Sequence, residues 1–279
     1  MTEATLAWWK LLSLAGVINL AAWYATRELL EAGRERFAPA EYATRRALFW
    51  LAGVYVAGCA FRSFLPMIDV PRLCLHETAV SRIFVGRTVA TVAELAFAAQ
   101  WALLLREAGA VRAARAVLGL LAAAEALSWL AVLTTNEAFH ASENALWTFA
   151  ALIGAVFLAS RARHQGARAG GLIVLALVCA AAYLLFMIVY VVPMYLTRWN
   201  ADLAAGRDYL TLAAGVRETL ALCTVERDWS AWWQDALWLT PYFTLAVWLS
   251  IALAHVPPLT AGASAPAPRA PRSPRAREA

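Results

Sequence analysis

Seven stretches of about 20 mainly apolar residues restrict the fold of this 279-residue chain more than any other feature. A helix of that length crosses the roughly 30 Å hydrocarbon core of a bilayer. The composition agrees, because 62% of the residues are hydrophobic and 15% are charged, against about 25% charged in soluble domains. The sequence therefore predicts an all-α, polytopic bundle of seven transmembrane helices. The predicted spans are residues 6–26, 47–65, 84–105, 115–134, 144–160, 171–194 and 235–255.

The loops between the spans differ in charge on the two sides of the membrane. Residues 27–46, 106–115, 161–169 and 256–279 together hold 15 basic and 6 acidic residues, whereas 66–83, 135–143 and 195–235 hold 6 basic and 10 acidic ones. Because cytoplasmic loops are enriched in Arg and Lys, this pattern predicts the N-terminus outside and the C-terminus inside. Lys10 is the only lysine in an alanine-rich chain, which is typical of a GC-rich bacterial genome. We therefore predict the cytoplasmic (inner) membrane of a bacterium.

Two segments outside the predicted spans have a composition that indicates their structure. The end of the chain, 257–279, is rich in Pro, Ala and Arg and is predicted to be a disordered cytoplasmic tail. Residues 201–222 alternate apolar and charged side chains with a helical period, which predicts an amphipathic helix at the outer membrane surface.

Several cofactors and partners are excluded by missing residues. The four histidines lie at span ends or in loops, so haem held between the helices is not expected. Lys10 is too near the start of the first span to hold retinal, and no glycine-rich phosphate-binding motif is present for a nucleotide. Membrane topology explains the net charge of +5, so nucleic acid is not an expected partner. The expected partners are the lipid bilayer and a small solute, ion or lipid.

Two glutamates lie deep in the predicted bilayer, where an ionisable group is costly and is usually functional. Glu94 and Glu125 are each about 15 Å below the outer ends of adjacent antiparallel spans, at 1.5 Å per residue. Two carboxylates in a low dielectric do not easily both ionise, so the pair suits proton coupling or an internal cation site. The alternatives are that each is neutral and hydrogen-bonds a neighbouring helix, or that Glu94 is the counter-ion of an arginine. Three other polar residues fall near the same level: Asn19, Tyr55 and Tyr183.

Arg62 and Arg87 lie nearer the predicted outer surface, at the ends of spans two and three. They are candidates for binding an anionic headgroup or substrate at an outer mouth. The alternatives are that their long side chains snorkel to the interface, or that they form structural ion pairs.

Two predicted outer loops combine histidines with acids, which are ligands that suit zinc, manganese or iron. The candidate metal ligands are His76, Glu77, Glu137, His140 and Glu143. The alternative is that these are solvated loop charges and an acid that caps span five. Cys74 and Cys223 both fall on the predicted outer side, where a disulfide between them is allowed.

Three functions remain open at this stage. The first is a proton- or ion-coupled small-solute transporter or channel that uses the Glu94 and Glu125 pair. The second is an intramembrane lipid-modifying enzyme with a metal on its outer face. The third is a seven-helix sensor or accessory subunit.

Overall fold

The computed structural model describes residues 1–162, 167–221 and 223–256. Within these residues, seven helical runs are long and apolar enough to cross a bilayer. The predicted all-α, seven-span fold is confirmed, and the chain is an integral, multi-pass membrane protein. The orientation of the termini stays a prediction. The tail at 257–279 and Leu222 of the predicted surface helix lie outside the described residues.

The first five spans are single helices. They are α1 (Glu3–Ala32), α2 (Pro39–Phe64), α3 (Ile83–Glu107), α4 (Val111–Thr134) and α5 (Glu137–Ala162).

The sixth and seventh spans each consist of two helices joined by a π-helical turn. The sixth joins α6 (Ala167–Phe186) to α7 (Val192–Ala204) through Met187–Val191. After a separate short helix, α8 (Leu212–Ala221), the seventh joins α9 (Trp229–Pro241) to α10 (Val247–Leu253) through Tyr242–Ala246. A proline lies close to each π turn: Pro193 is two residues after the end of the first turn, and Pro241 directly precedes the second. Since proline has no N–H to donate, the hydrogen-bond register of the helix changes there.

Several helix boundaries differ from the predicted ones. Helix α5 begins at Glu137, seven residues before the predicted span, because the Asn136 side chain accepts a hydrogen bond from Ala138 N at 3.0 Å. The acids and histidine predicted for this loop therefore lie on the first two turns of a helix. Helix α9 likewise begins at Trp229 instead of 235, where the Asp228 carboxylate accepts from Ser230 N at 2.8 Å.

The predicted amphipathic helix at 201–222 is divided in the structure. Helix α7 continues the sixth span to Ala204 and ends before Gly206, whose φ of 62° breaks the helical path. Residues 207–211 are not helical, and α8 then follows.

The helices pack mainly against their neighbours in sequence. Helices α1 to α5 form a consecutive series, α6 and α7 pack on α5, and the last span returns to pack on α1 and α2. The largest apolar core lies between the first, second and last spans and includes Trp8, Leu12, Tyr55, Trp232 and Phe243.

One end of the bundle is closed by a small sheet and a disulfide, and we call it the disulfide end. Strands β1 (Met67–Ile68) and β2 (Leu73–Cys74) form an antiparallel hairpin, and β3 (Thr224–Val225) pairs in parallel with β2. Cys74 is disulfide-bonded to Cys223, with their Cα atoms 5.8 Å apart. Arg72 fixes this hairpin to the bundle, because its guanidinium donates to Glu218 Oε2 at 2.6 Å and to the Val132 carbonyl at 3.1 Å.

Asn19 joins the first span to the last. Its amide nitrogen donates to the Phe243 carbonyl at 2.8 Å, and its amide oxygen accepts from Trp248 Nε1 at 2.8 Å. We expect Asn19→Leu to lower stability by roughly 1–2 kcal/mol, because two interhelical hydrogen bonds are lost. The measurement is the thermal unfolding midpoint in detergent. Val17→Leu, at a residue that is 53% exposed on the same helix, is the control. Equal midpoints for the two variants would contradict a bracing role for Asn19.

Candidate functional site

Three glutamates from three spans meet around one arginine inside the bundle. Glu94 of α3, Glu125 of α4 and Glu143 of α5 each place a carboxylate oxygen within 4.8 Å of the other two. Arg87 Nη2 donates to Glu125 Oε2 at 2.7 Å and also to Glu94 Oε2. We call these four residues the carboxylate cluster. Each is at most 9% exposed.

The local geometry of α3 explains why Arg87 reaches so far into the bundle. Arg87, Thr91 and Glu94 follow at i, i+4 and i+7, which places them on one face of the helix. Arg87 Nε donates to Thr91 Oγ1 at 3.3 Å, so the arginine side chain runs down this face towards Glu94.

Two further hydrogen bonds fix Glu125 on the facing helix. Thr91 Oγ1 donates to Glu125 Oε2 at 2.7 Å, and Trp129 Nε1 donates to Thr91 Oγ1 at 3.1 Å. The other carboxylate oxygen of Glu125 is buried and has no hydrogen-bond partner among the described residues. Helices α3 and α4 are thus joined at this level by an ion pair and a threonine bridge.

The last span supplies a fourth wall. Tyr242, the first residue of the π turn after Pro241, donates its hydroxyl to Glu94 Oε1 at 2.7 Å. The Tyr55 ring lies edge-on to Tyr242 and stacks on Phe97, with centroids 6.0 and 4.7 Å apart. Phe97 and Trp101 follow Glu94 on α3, so an aromatic layer lies beyond Glu94 on the side away from the disulfide end, and Tyr55 packs on it.

Asp69 connects the cluster to the hairpin of the disulfide end. Its carboxylate lies 3.8 Å from Arg87 Nη1 and 3.6 Å from Arg62 Nη2. Arg62 also donates to the Met67 carbonyl at 2.9 Å. The structure therefore buries both candidate headgroup-binding arginines beneath the hairpin, at 7% exposure for Arg62 and 4% for Arg87.

The candidate metal ligands separate into two places. Glu143 joins the carboxylate cluster, and His140 Nδ1 lies 2.8 Å from Glu143 Oε2. Glu137 is buried one turn above His140. His76 instead packs edge-on against Trp9, with centroids 4.8 Å apart, and Glu77 is exposed.

The cluster has the right oxygen ligands for a hard divalent cation such as Mn²⁺ or Ca²⁺. Among the described residues, Glu94, Glu125 and Glu143 form a group of metal-ligating side chains whose ligand atoms lie within 4.8 Å of one another. Glu143 is the member of this group that the sequence predicted as a metal ligand. The Arg87 guanidinium, however, already contacts two of the three carboxylates. Positive charge at the centre of the cluster is thus supplied by the chain itself.

The other predicted midplane residues have different roles. Tyr55 lines the cluster through its contacts with Phe97 and Tyr242. Tyr183 of α6 is half-buried, and Glu94 and Glu143 are its charged neighbours. Asn19 contacts the last span at Phe243 and Trp248 and belongs to the packing of that span.

Three site residues were not singled out from the sequence as members of this site. In the sequence, Asp69 falls in a predicted loop. Its contacts with both arginines depend on how the hairpin folds over the bundle. Trp129 lies one helical turn after Glu125, so the i, i+4 spacing could have found it. Tyr242 is a tyrosine in the middle of an apolar span, and its position directly after Pro241 was the available signal.

The acidic groups outnumber the permanent positive charges. Four carboxylates, those of Asp69, Glu94, Glu125 and Glu143, face two guanidiniums and the His140 imidazole. Uncompensated charge is costly in a low dielectric, so the arrangement favours taking up a proton or another cation.

Comparison of the chain with protein-family models, curated protein sequences and solved structures finds no match in any of the three. The chemistry of the cluster therefore carries the functional argument.

Arg87 is the counter-ion of two buried carboxylates. We expect Arg87→Met to destabilise the protein by roughly 3–5 kcal/mol, because it leaves Glu94 and Glu125 buried without a counter-ion. Adding Glu94→Gln and Glu125→Gln to the same chain is expected to restore most of the loss. Thermal unfolding in detergent at neutral pH measures both effects. A stable Arg87→Met variant would show that the ion pair does not hold α3 to α4.

His76 lies in the segment that connects α2 to α3. Burial, and then the charge of Arg227, lower the pKa of His76 below its ordinary value. The unfolded chain therefore binds this proton more readily than the folded one. The contribution of neutral His76 to stability is therefore present above about pH 6.5 and is lost as the pH falls below that value.

We expect His76→Gln to reduce the decrease in the unfolding midpoint between about pH 7.5 and pH 5.5. Glu77→Gln, at the adjacent exposed residue, is the control. An unchanged pH dependence in His76→Gln would mean that His76 does not contribute to acid sensitivity.

Proposed function

We propose that this protein is a proton-coupled carrier of a small solute or ion, with the carboxylate cluster as its protonation site. One observation carries the proposal: three carboxylates lie within 4.8 Å of one another around a single buried guanidinium. The excess of acidic groups makes proton uptake the simplest way to balance the charge of the site.

Protonation at this site is linked to contacts between helices. Arg87 of α3 holds Glu125 of α4 and also lies near Asp69 of the hairpin. A proton on Glu125 removes the ionic part of the contact between α3 and α4, so the two helices gain freedom to separate. A change of proton occupancy that alters a helix contact is what coupled transport requires.

The cluster is placed asymmetrically between the two ends of the bundle. Towards the disulfide end lie charged and titratable groups, including Asp69 and His140. In the other direction lie Phe97 and Trp101 of α3, with ring centroids 5.2 Å apart, and the Tyr55 ring stacks on Phe97. We propose that this aromatic layer closes the carrier on that side and opens when the helices rearrange.

The predicted sidedness belongs to the same proposal. With the positive-inside orientation, the disulfide end faces the periplasm of a bacterium, and the closed aromatic layer faces the cytoplasm. The Cys74–Cys223 disulfide supports this direction, since disulfides persist in oxidising compartments.

A metal-dependent membrane enzyme is the second candidate, and the oxygen ligands of the cluster favour it. Bound Mn²⁺ or Ca²⁺ would supply a Lewis acid near the middle of the bundle. This candidate requires that the purified protein retain a divalent metal in elemental analysis, and that Glu143→Gln release it.

The decisive test of the carrier proposal is proton uptake. The purified protein in lipid nanodiscs is titrated while the infrared band of protonated carboxylic acids is followed. We expect Glu125→Gln to remove part of this band and Glu94→Gln to shift its titration. Glu77→Gln, an exposed acid at the disulfide end, should lack both effects.

Transport is then measured in proteoliposomes that contain a pH-sensitive dye. A coupled solute changes the internal pH, and Glu125→Gln is expected to abolish that change. If Glu94→Gln and Glu125→Gln both titrate like the wild-type protein, the carboxylate cluster is not a protonation site and the proposal fails.

A further inference from the structure

We infer that protons reach the carboxylate cluster from the disulfide end through His140, which relays them from Glu137 to Glu143. This inference rests on the proposed function, because it describes how the protonation site is loaded. We call the three residues the α5 path.

The α5 path runs along one side of its helix. Glu137 is the first residue of α5, and His140 and Glu143 follow at intervals of three residues. At 1.5 Å per residue, Glu143 lies about 9 Å deeper than Glu137. All three are buried, with exposures of 5% for Glu137, 8% for His140 and 7% for Glu143. The path thus descends from the end of the helix into the bundle without facing lipid.

The lower steps of the path are in contact. A carboxylate oxygen of Glu143 lies within 4.8 Å of those of Glu94 and Glu125, and His140 Nδ1 is 2.8 Å from Glu143 Oε2. The upper step spans one helical turn, a spacing at which side chains of a helix are neighbours. Glu137 Oε2 is buried and has no hydrogen-bond partner among the described residues, so it is free to bind a proton or a water.

Most of the groups that surround His140 are acidic. Carboxylates reach it from its own helix, from the hairpin and from α9, and a tyrosine ring of α7 lies 5.1 Å away. The titratable and charged groups that face it are Asp69, Glu137, Glu143, Tyr195 and Asp235. These five groups are acidic or neutral, and the base on this side is Arg198, which lies over the Tyr195 ring and 3.7 Å from the Asp235 carboxylate.

The upper end of the path approaches water along α7. Arg198, Asp202 and Asp235 are the charged neighbours of Glu137 on other helices. Asp202 accepts a hydrogen bond from Arg207 at 3.1 Å, and the Arg207 side chain is 41% exposed. Charged side chains thus extend from the neighbourhood of Glu137 to an exposed arginine at the disulfide end.

The opposite direction lacks comparable steps on α3. After Glu94, the next buried polar side chain of that helix is Gln100, beyond the Phe97 ring. Gln100 donates to the Leu48 and Ser250 carbonyls and accepts from the Ser250 hydroxyl. A neutral amide held in this way does not exchange protons readily.

The transfer moves one proton and keeps the charges balanced. With Glu143 ionised, His140 Nδ1–H donates to its Oε2. A proton from Glu137 binds Nε2 of the ring, and the Nδ1 proton passes to Glu143. His140 is then neutral again with its proton on Nε2, Glu137 is ionised and Glu143 is a carboxylic acid next to Glu125.

A pH jump on the full chain in lipid nanodiscs tests the route. After rapid acidification, the growth of the carboxylic-acid infrared band gives the rate and the extent of proton uptake by the buried acids. We expect His140→Gln to slow this rate by at least roughly tenfold, because a positioned proton-transfer group is removed. The band should still reach its final size, because the cluster is intact.

Two histidines provide matched controls. His76→Gln changes a histidine at the same end of the bundle, packed on Trp9 and outside the path. His255→Gln changes one at the opposite end, near Arg45. Both should keep the wild-type rate. A wild-type rate in His140→Gln, or an equal slowing in His255→Gln, would overturn the route.

A second experiment separates proton transfer from a structural role. Imidazole added to His140→Ala is expected to restore the rate, since it replaces the missing ring, whereas it cannot repair a distorted helix. If neither His140 variant folds, Glu137→Gln takes their place. It should slow uptake while the carboxylates of the cluster still reach their full protonation, and a wild-type rate in this variant counts against the route.

The same assay separates failure of the route from failure of the proposed function. If Glu125→Gln loses part of the band while His140→Gln keeps the wild-type rate, the protonation site stands and only the route is wrong. If Glu94→Gln and Glu125→Gln both leave the band and its titration unchanged, the proposed function itself fails.

Discussion

The Arg87 guanidinium is the charge on which the centre of this bundle depends. It contacts Glu94 on its own helix, Glu125 on α4 and Asp69 in the hairpin, so three parts of the chain share one positive charge. In a low dielectric these acids could not remain ionised together without it. The same arrangement makes the contact between α3 and α4 sensitive to any proton that competes with Arg87. In the proposed carrier, this structural ion pair would therefore also act as the protonation switch.

The disulfide end completes this site. The β1–β2 hairpin carries Asp69 over the two arginines, and Arg72 fixes the hairpin to α4 and α8. The disulfide and the short parallel pairing with β3 bring the segment before the last span to the same place. The last span in turn supplies Tyr242, whose hydroxyl reaches Glu94. The segments that close this end of the bundle thus also bring residues to the site.

Much of the fold was predictable because the bilayer restricts what an apolar chain can do. Runs of about 20 apolar residues must form helices to satisfy their backbone, so the seven spans followed from hydropathy alone. Helix ends were less predictable, since they depend on caps. Asn136 lengthened α5 by two turns and moved Glu143 from a predicted loop into the interior. The predicted pair of Glu94 and Glu125 thus became part of a larger cluster.

The sequence by itself determined the seven spans, the depth of the two glutamates and the face that Arg87, Thr91 and Glu94 share, because these follow from helical geometry. Only the tertiary structure decided which residues meet across helices. It brought Glu143 to the cluster, left His76 against Trp9, and used Asn19 to brace the last span instead of the site. The physical reason is that the rotation of each helix about its axis is set by packing against its neighbours, and hydropathy in one chain does not encode those contacts.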